Sequence, residues 1–121
     1  MKQHRIERIN QFILEEVTKI VRDKVSHPEV SPWLSITKVE TSKDLSISKI
    51  YVSVMEKEME KKEATIKALN HSSGYIHFEL RKILKTKRVP QLKFFLDLTQ
   101  DNVDRINQLL NKLHQENNPD E

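Results

Sequence analysis

Hydrophobic residues in the first part of the chain recur every three or four positions. The pattern runs from about Lys2 to Lys24 and comprises Ile6, Ile9, Ile13, Val17, Ile20 and Val21, with Val25 just beyond it. This spacing places the side chains along one side of an amphipathic helix. Pro28 and Pro32 then interrupt the pattern, because proline has no backbone N–H to donate. The sequence therefore predicts a long helix followed by a loop.

Two segments rich in Ile, Val, Thr and Tyr follow this loop. Leu34–Thr41 and Leu45–Met55 are separated by residues 42–44, whose sequence Ser-Lys-Asp favours a turn. The two segments predict an antiparallel hairpin. In both of them the apolar alternation changes phase midway, which is typical of a β-bulge or a strong twist. The register of the hairpin stays open at this point.

The middle of the chain predicts two helices joined by a kink. Residues 56–63 alternate acids and lysines and are interpreted as a solvated loop. A helical pattern starts at Ala64 and continues to about Lys85, and Gly74, the only glycine of the chain, lies inside it. Glycine in a helix interior costs roughly 1 kcal/mol relative to alanine. We therefore expect either a backbone kink at Gly74 or a close approach that a side chain would block.

The last two elements have clear patterns. Residues 91–98 alternate between apolar and polar side chains, as in a strand with one buried face. Thr99 is expected to cap a final helix, whose apolar residues are Val103, Ile106, Leu110 and Leu113. The polar residues 115–121 are expected to form a disordered acidic tail.

These elements follow one another as helix, strand, strand, helix, kink, helix, strand, helix. One three-stranded sheet with its helices on one face would bury most of the apolar stripes, so the predicted fold class is α+β. Residues 1–114 are assigned to this single domain. We expect Trp33 to pack the first loop over the core rather than to stack on a base. Tyr51 lies on the outward phase of its strand and could stack a base, but we interpret it as an ordinary residue of the sheet surface.

The composition limits the possible functions. The chain has 121 residues, a net charge of +3 and no cysteine, which excludes disulfides, cysteine-bound zinc and thiol nucleophiles. It shows no signal-peptide pattern and no apolar run of membrane length, so we expect a soluble cytoplasmic protein. Its five histidines lack the spacing of metal ligands, and one glycine cannot build a phosphate loop. The sequence therefore predicts neither an enzyme nor a bound cofactor or metal.

Basic residues are concentrated in one part of the sequence. Residues 65–90 contain six lysines and arginines and one acid, whereas residues 91–121 contain three bases and six acids. Such asymmetry is typical of a surface that binds a polyanion, although a solvated helix end explains it equally well. A helix amino terminus at the kink would add free backbone N–H groups that can bind phosphate. Structured RNA is the polyanion that we favour.

Several segments also resemble one bacterial family. The hairpin residues 36–45 and 48–53, the kink at Gly74 and the segment Arg88–Phe94 resemble bacterial ribosome-binding factor A. The resemblance implies a type II KH-like fold in which a kink between two helices replaces the usual Gly-x-x-Gly loop. It also implies a cold-adaptation factor that binds the free small ribosomal subunit and assists maturation and processing of its rRNA. The implied partners are that subunit and an assembly GTPase for release, with the factor itself a monomer.

The family's alanine-x-glycine kink falls on Ser72, Ser73 and Gly74, where Ser72 departs from the usual alanine. His27 and Pro28 stand where the family has Asp-Pro. The predicted RNA-binding residues are Ser72, Ser73, Gly74, Arg81, Lys82, Lys85, Lys87 and Arg88, and the basic face could extend to Arg5, Arg8, Lys38, Lys43 and Lys49.

A second hypothesis is a protein-interaction module. In this reading the apolar stripe of the first helix, or an open sheet edge, binds a partner chain and the basic residues are incidental. Salt separates the two hypotheses, because phosphate contacts weaken steeply with salt and an apolar groove does not.

Overall fold

Four helices and three strands follow one another along the described part of the chain, in the order that the hydrophobic pattern predicts. A computed structural model describes residues 2–84 and 88–117. The elements are α1 (Lys2–Lys24), β1 (Leu34–Thr41), β2 (Ile47–Val54), α2 (Met59–His71), α3 (Ser73–Ile83), β3 (Gln91–Leu96) and α4 (Thr99–Asn117). This arrangement confirms the α+β class and the kinked helix pair.

The three strands form one mixed sheet in the order β1-β2-β3. β1 and β2 pair as an antiparallel hairpin, whereas β2 and β3 are parallel and are connected through α2 and α3. Val39 lies opposite Ile50, and Ile50 lies opposite Phe94, so one row of buried side chains crosses the whole sheet.

The phase change in β1 is a β-bulge at Thr37. The pairing with β2 shifts between Ile36 and Lys38, and this leaves Thr37 without a partner residue. Its hydroxyl donates a hydrogen bond of 2.6 Å to the carboxylate of Asp97, which follows β3. The bulge therefore connects the two edge strands across the outside of the sheet.

The phase change in β2 has a different cause. Ser48 continues the inward alternation of Ile50 and Val52 and is fully buried, although it is polar. Its hydroxyl lies 2.8 Å from the hydroxyl of Thr41 on β1, so its hydrogen bonding is satisfied inside the fold. Ile47 faces outward instead, and the strand contains no bulge.

The core lies between the inner face of the sheet and the helices. α1 packs on β1 and α3, while α2 and α3 pack on β3. The largest core side chains without solvent exposure are Ile13, Val17, Ile50, Val52, Leu69, Ile76 and Leu80. Helices α1, α2 and α3 therefore cover one face of the sheet, as predicted.

The loop predicted for residues 56–63 is wrong in its second half. α2 begins at Met59, and the backbone N–H groups of Lys61 and Lys62 bond to the carbonyl of Glu58. Lys62 and Thr65 are both buried in the fold. The helix forms here because tertiary contacts outweigh a polar sequence that carries no apolar stripe.

Three strand and helix ends also differ from the prediction. β2 starts at Ile47 rather than Leu45, because Leu45 has a φ of 61° and belongs to the turn. β3 ends at Leu96 rather than Leu98. Thr99 is the first residue of α4 rather than its cap, and its backbone N–H donates to the carboxylate of Asp97.

Two surface features contradict the predicted packing. Along α4 the stripe Val103, Ile106, Leu110 and Leu113 is exposed, so this helix does not bury its apolar side on the domain. α4 is helical to Asn117, and the remaining residues of the predicted tail, 118–121, lie outside the described residues. Trp33 is 67% exposed, whereas Ser31 of the same loop is buried, and the backbone N–H of Ser31 donates to the hydroxyl of Thr65.

Candidate nucleic-acid interface

The kink between α2 and α3 is centred on Ser72. This residue has φ −89° and ψ 2°, and its backbone N–H bonds to the carbonyls of Ala68 and Asn70. Its own carbonyl accepts the N–H of Ile76, which starts the hydrogen bonding of α3. No side chain caps α3 at Ser72, so the first backbone N–H groups of this helix have no capping partner there. Ser73 and Gly74 lie in this uncapped first turn.

Gly74 is not required by the backbone or by internal packing. It does not have a positive φ, and a Cβ built on it would meet no atom within 4 Å. The predicted kink is confirmed, but the close approach within the chain is wrong. The missing side chain instead leaves free surface on the exposed side of α3.

A groove of about 660 Å³ lies between the kink and β3. Its helical wall consists of Asn70, Ser73, Gly74 and His77, and its other wall is residues 91–95 of β3. We call it the kink groove. Ser73 and Gly74, both predicted to contact RNA, therefore lie on a concave surface, while Ser72 shapes that surface through the backbone.

Asn70 closes the free edge of β3 inside the kink groove. Its side-chain amide donates to the carbonyl of Phe94 at 3.0 Å, and its side-chain oxygen accepts the N–H of Phe94 at 2.8 Å. The side chain thus imitates a neighbouring strand at this residue. Sequence reasoning missed Asn70, because nothing in its local pattern shows that the end of α2 meets an edge strand.

Three predicted arginines meet at another concave surface, which we call the arginine end. Arg5 and Arg8 of α1 and Arg88, which precedes β3, border a cavity of about 270 Å³. Its remaining lining is apolar and comprises Ile9, Leu45, Leu84 and Pro90. The guanidinium of Arg88 also donates to the backbone carbonyl of Asp44 at 3.3 Å. Residues distant in sequence thus form one cationic surface, whereas the predicted Lys85 and Lys87 lie outside the described residues.

The turn beside the arginine end is held by a small hydrogen-bond network. Asp44 accepts hydrogen bonds from the hydroxyls of Ser42 and Ser46 and from the backbone N–H of Ser46. These bonds lower the pKa of Asp44 to about 2, and the hydrogen bond from Ser42 has the largest effect. Lys43 is exposed in this turn, next to Asp44 in sequence.

Arg81 and Lys82 lie on the exposed side of α3. The ammonium of Lys82 is 3.3 Å from the carboxylate of Glu79 and 4.5 Å from the ring centre of Phe78. Lys82 therefore already interacts within the domain, whereas Arg81 has no ion pair among residues 2–84 and 88–117. Reversing the charge of Lys82 would place two carboxylates side by side and would disturb the fold as well as any RNA contact.

Glu79 joins α3 to the end of α1. Its buried carboxylate accepts hydrogen bonds from the ammonium groups of Lys24, at 2.8 Å, and Lys82, at 3.3 Å. The hydrogen bond to Lys24 is the main cause that lowers the pKa of Glu79 and raises the pKa of Lys24. This network stabilises the fold, and in it Glu79 neutralises part of the charge of Lys82, which the sequence analysis assigned to RNA binding.

Lys38 and Lys49 lie on the other side of the molecule. Both project from the sheet face that α1, α2 and α3 leave uncovered, which we call the outer sheet face. Lys38 pairs with Glu40 at 2.6 Å, and the hydrogen bond of that pair raises the pKa of Lys38. The structure therefore does not join these lysines to Arg81 and Lys82 in one basic face.

Two further findings concern the described part of the chain. It contains no helix that is both long and apolar enough to cross a membrane. Within residues 2–84 and 88–117, no three His, Asp or Glu side chains are placed to hold a metal ion. The rings of His27 and His71 lie edge to face with centres 6.4 Å apart, without a third ligand.

The helix-strand-strand-helix-kink-helix-strand topology is that of a type II KH-like domain. Its grooves and clustered arginines are typical of small domains that bind polyanions. A family model described as ribosome-binding factor A matches residues 5–110. The chain therefore belongs to the ribosome-binding factor A family.

Individual relatives agree with this assignment. Ribosome-binding factor A of Dictyoglomus thermophilum is 40% identical over 118 residues, which cover 98% of each chain. The Clostridium perfringens protein is 37% identical over 113 residues, or 93% of this chain and 97% of that relative. Both relatives match along nearly their whole length, so the family resemblance proposed from the sequence is confirmed.

Solved structures show the same fold at lower identity. The crystal structure of ribosome-binding factor A from Thermus thermophilus has a TM-score of 0.65 and 20% identity, covering 75% of this chain and 94% of that one. The coordinates of a homology model of the Thermus thermophilus factor, fitted into a cryo-EM map of a 30S complex, have a TM-score of 0.59 and 20% identity. They cover 73% of this chain and 90% of the other.

Proposed function

We propose that this domain binds the free small ribosomal subunit and assists the maturation and processing of its rRNA. The observation that carries the proposal is the arginine end, where Arg5, Arg8 and Arg88 border one cavity. Guanidinium groups donate several hydrogen bonds in a fixed plane and match phosphate oxygens well. Three of them, from two separate segments of the chain, make a surface suited to an RNA backbone.

The charges of Arg5 and Arg8 are available for such a contact. Arg5 and Arg8 are both exposed, and neither forms an ion pair within the described residues. The apolar lining of the cavity lowers the local dielectric and strengthens a phosphate contact there. A structural neighbour from Thermus thermophilus was fitted into a map of a 30S complex, which supports the small subunit as the particle bound.

Co-sedimentation with free small subunits across a salt series tests this proposal. We expect the wild-type protein to bind them and to lose affinity steeply as salt rises, because each phosphate contact releases counterions. The double variant Arg5→Gln and Arg8→Gln removes two cations. Its logarithmic salt slope should therefore be smaller by about 1.4 to 1.8 units, at roughly 0.7 to 0.9 per contact.

A matched control lies on the same helix. Lys19→Gln with Arg22→Gln also removes two cations from α1, but these residues are paired with Glu16 and Asp23 and do not line the arginine end. This control should keep the wild-type slope. Equal effects of the two double variants would show that only net charge matters and would refute the arginine end as a binding surface.

For the alternative function, a protein-interaction module, the structure offers a different surface from the one predicted. The stripe of α1 is buried in the core and cannot bind a partner, so that part of the hypothesis is wrong. The exposed stripe of α4 is the observation that favours a partner chain. Capture of small subunits that is insensitive to salt and is lost in Leu110→Ser would favour this function over RNA binding.

The proposed function includes several narrower expectations from the family. A monomeric, cytoplasmic factor that acts in cold adaptation and is released by an assembly GTPase remains the working hypothesis. The absence of cysteine fits a reducing cytoplasm. Growth of a strain that lacks the protein, compared at low and ordinary temperature, tests the cold-adaptation role directly.

A further inference from the structure

The outer sheet face carries a pair of aromatic side chains at its centre. Tyr51 on β2 and Phe95 on β3 are directly paired positions of the parallel ladder. Their ring centres are 5.7 Å apart, with an angle of 30° between the ring planes. Phe95 is 39% exposed, and Tyr51 is half-buried. The two rings therefore form one tilted platform that reaches solvent.

Two lysines occupy the next row of the same face. Lys49 and Lys93 are paired positions on the same two strands, two residues before Tyr51 and Phe95. Strand geometry separates these rows by roughly 6.6 Å along the sheet. Neither lysine forms an ion pair within the described residues, and both are exposed. Free positive charge thus lies beside the rings.

The acidic residues of this face are already engaged. Glu40 lies opposite Lys49 in the ladder but bonds to Lys38 at 2.6 Å. Asp97 accepts hydrogen bonds from the hydroxyl of Thr37 and the N–H of Thr99. These partners leave the two lysines beside the platform uncompensated by a direct contact.

No described element covers the platform. Helices α1, α2 and α3 pack on the other side of the sheet, and the side chains of α4 are exposed from residue 103 to residue 114. The row beyond the rings is polar, with Ser35 opposite Ser53. An apolar patch of only two rings is small for a protein interface, whose centre is normally larger and poor in lysine.

We propose that the outer sheet face binds an unpaired RNA segment, with bases stacked on Tyr51 and Phe95 and phosphates near Lys49 and Lys93. Stacking on aromatic rings of an exposed sheet, combined with nearby cations, is a general way to hold single-stranded nucleic acid. This site lies on the opposite side of the sheet from α3. It adds a second contact to the proposed function, but its test does not require the ribosomal subunit.

Fluorescence anisotropy of a labelled RNA octamer without self-pairing, such as octauridylate or octaadenylate, tests the platform. Phe95→Thr should weaken binding at least about fivefold, because a stacked base contributes enough affinity for such a loss. Threonine suits a strand, so the fold is kept. Phe95→Tyr retains the ring and should bind like the wild type. Met55→Thr, at an exposed apolar position outside the platform, is the control for lost apolar surface.

The lysines have a separate readout. Lys49→Gln with Lys93→Gln should reduce the logarithmic salt slope by roughly 1.4 units, at about 0.7 per contact with a single strand. Backbone amide NMR shifts on adding the octamer should change at residues 49–51 and 93–95, and at the same octamer concentration these changes should be smaller in Phe95→Thr. Circular dichroism and urea unfolding of each variant exclude loss of the fold as the cause.

The outcomes separate this proposal from the previous one. Loss of octamer binding in Phe95→Thr, with retention in Phe95→Tyr, supports the platform whether or not the protein binds subunits. Equal octamer binding by the wild type and Phe95→Thr overturns the platform, and so does a wild type that does not bind the octamer. In both of these cases salt-dependent binding of small subunits through the arginine end would still stand.

Discussion

Replacing Asn70 by alanine should destabilise the domain by opening the edge of β3. The side chain makes two hydrogen bonds to Phe94, of 3.0 and 2.8 Å. Both disappear in Asn70→Ala, and the backbone N–H and carbonyl of Phe94 must then bond to water in the kink groove. The change leaves the buried core side chains in place, so the effect is confined to this edge.

The magnitude follows from three contributions. Each hydrogen bond contributes about 0.5 to 1.5 kcal/mol net, which gives about 1 to 3 kcal/mol for the pair. Alanine favours the helix by roughly 0.5 kcal/mol over asparagine, which offsets part of the loss. Water can reach the open groove and replaces part of the lost bonding, so the lower half of the range applies. We expect a net loss of about 1 kcal/mol.

Urea unfolding followed by circular dichroism measures this loss. With a slope of about 1 to 2 kcal/mol per molar urea, the midpoint should fall by roughly 0.5 to 1 M. Lys67→Ala, one turn earlier on the exposed side of α2, is the control and should change stability by less than about 0.5 kcal/mol.

Hydrogen exchange identifies the cause of that loss. The amide of Phe94 should exchange faster in Asn70→Ala, while the amide of Lys93, which faces β2 in the ladder, should stay protected. An unchanged midpoint together with unchanged exchange at Phe94 would refute the reasoning, because the paired hydrogen bonds would then contribute nothing to the edge.

Three further predictions follow from the same structure. Gly74→Ala should raise the free energy of unfolding by roughly 0.4 to 1 kcal/mol in urea titrations, because its φ suits alanine and its Cβ would meet no atom; a lower midpoint would contradict this. Glu79→Gln should make the free energy of unfolding fall less steeply on the acid side of its pH dependence. The reason is that the lowered pKa of Glu79 stabilises the fold above the ordinary pKa near 4.3, and this stabilisation is lost as pH falls through the folded pKa. In the same way, Asp44→Asn should remove the part of the stability that the wild type loses between about pH 4 and pH 2, since the folded pKa of Asp44 is about 2. Urea midpoints at about pH 7, 4 and 2.5 measure both effects.

Local pattern was sufficient for the elements whose burial follows one period. The apolar stripe of α1 and the alternation in β3 predicted both elements and the presence of one buried side in each. The start of α2 could not be predicted in this way, because Lys62 is buried and shares a concave surface with Leu98, which is distant in sequence. The burial of Ser48 was equally hard to predict, because the hydrogen bond that satisfies its hydroxyl, to Thr41, depends on the register of the hairpin.

The candidate site was predictable in composition but not in arrangement. The cluster of bases in residues 65–90 indicated an RNA-binding surface, yet Lys82 is tied to Glu79, and Arg88 meets Arg5 of α1 instead. That meeting depends on the packing of α1 near the start of β3. Tyr51 was correctly placed on the outer side, but its contact with Phe95 requires the parallel pairing of strands that are separated by two helices.

β3 contributes to two separate surfaces, the outer sheet face and the kink groove, which the charge pattern of the sequence does not distinguish. Its alternation directs Lys93 and Phe95 to the outer sheet face, while its free edge forms one wall of the kink groove. Asn70 occupies the middle of that edge, so addition of a peptide strand would first have to break its two hydrogen bonds to Phe94. Side-chain and phosphate contacts on either side of β3 meet no such barrier. The architecture of this strand therefore disfavours an extended peptide at this edge, which agrees with the RNA contacts proposed above.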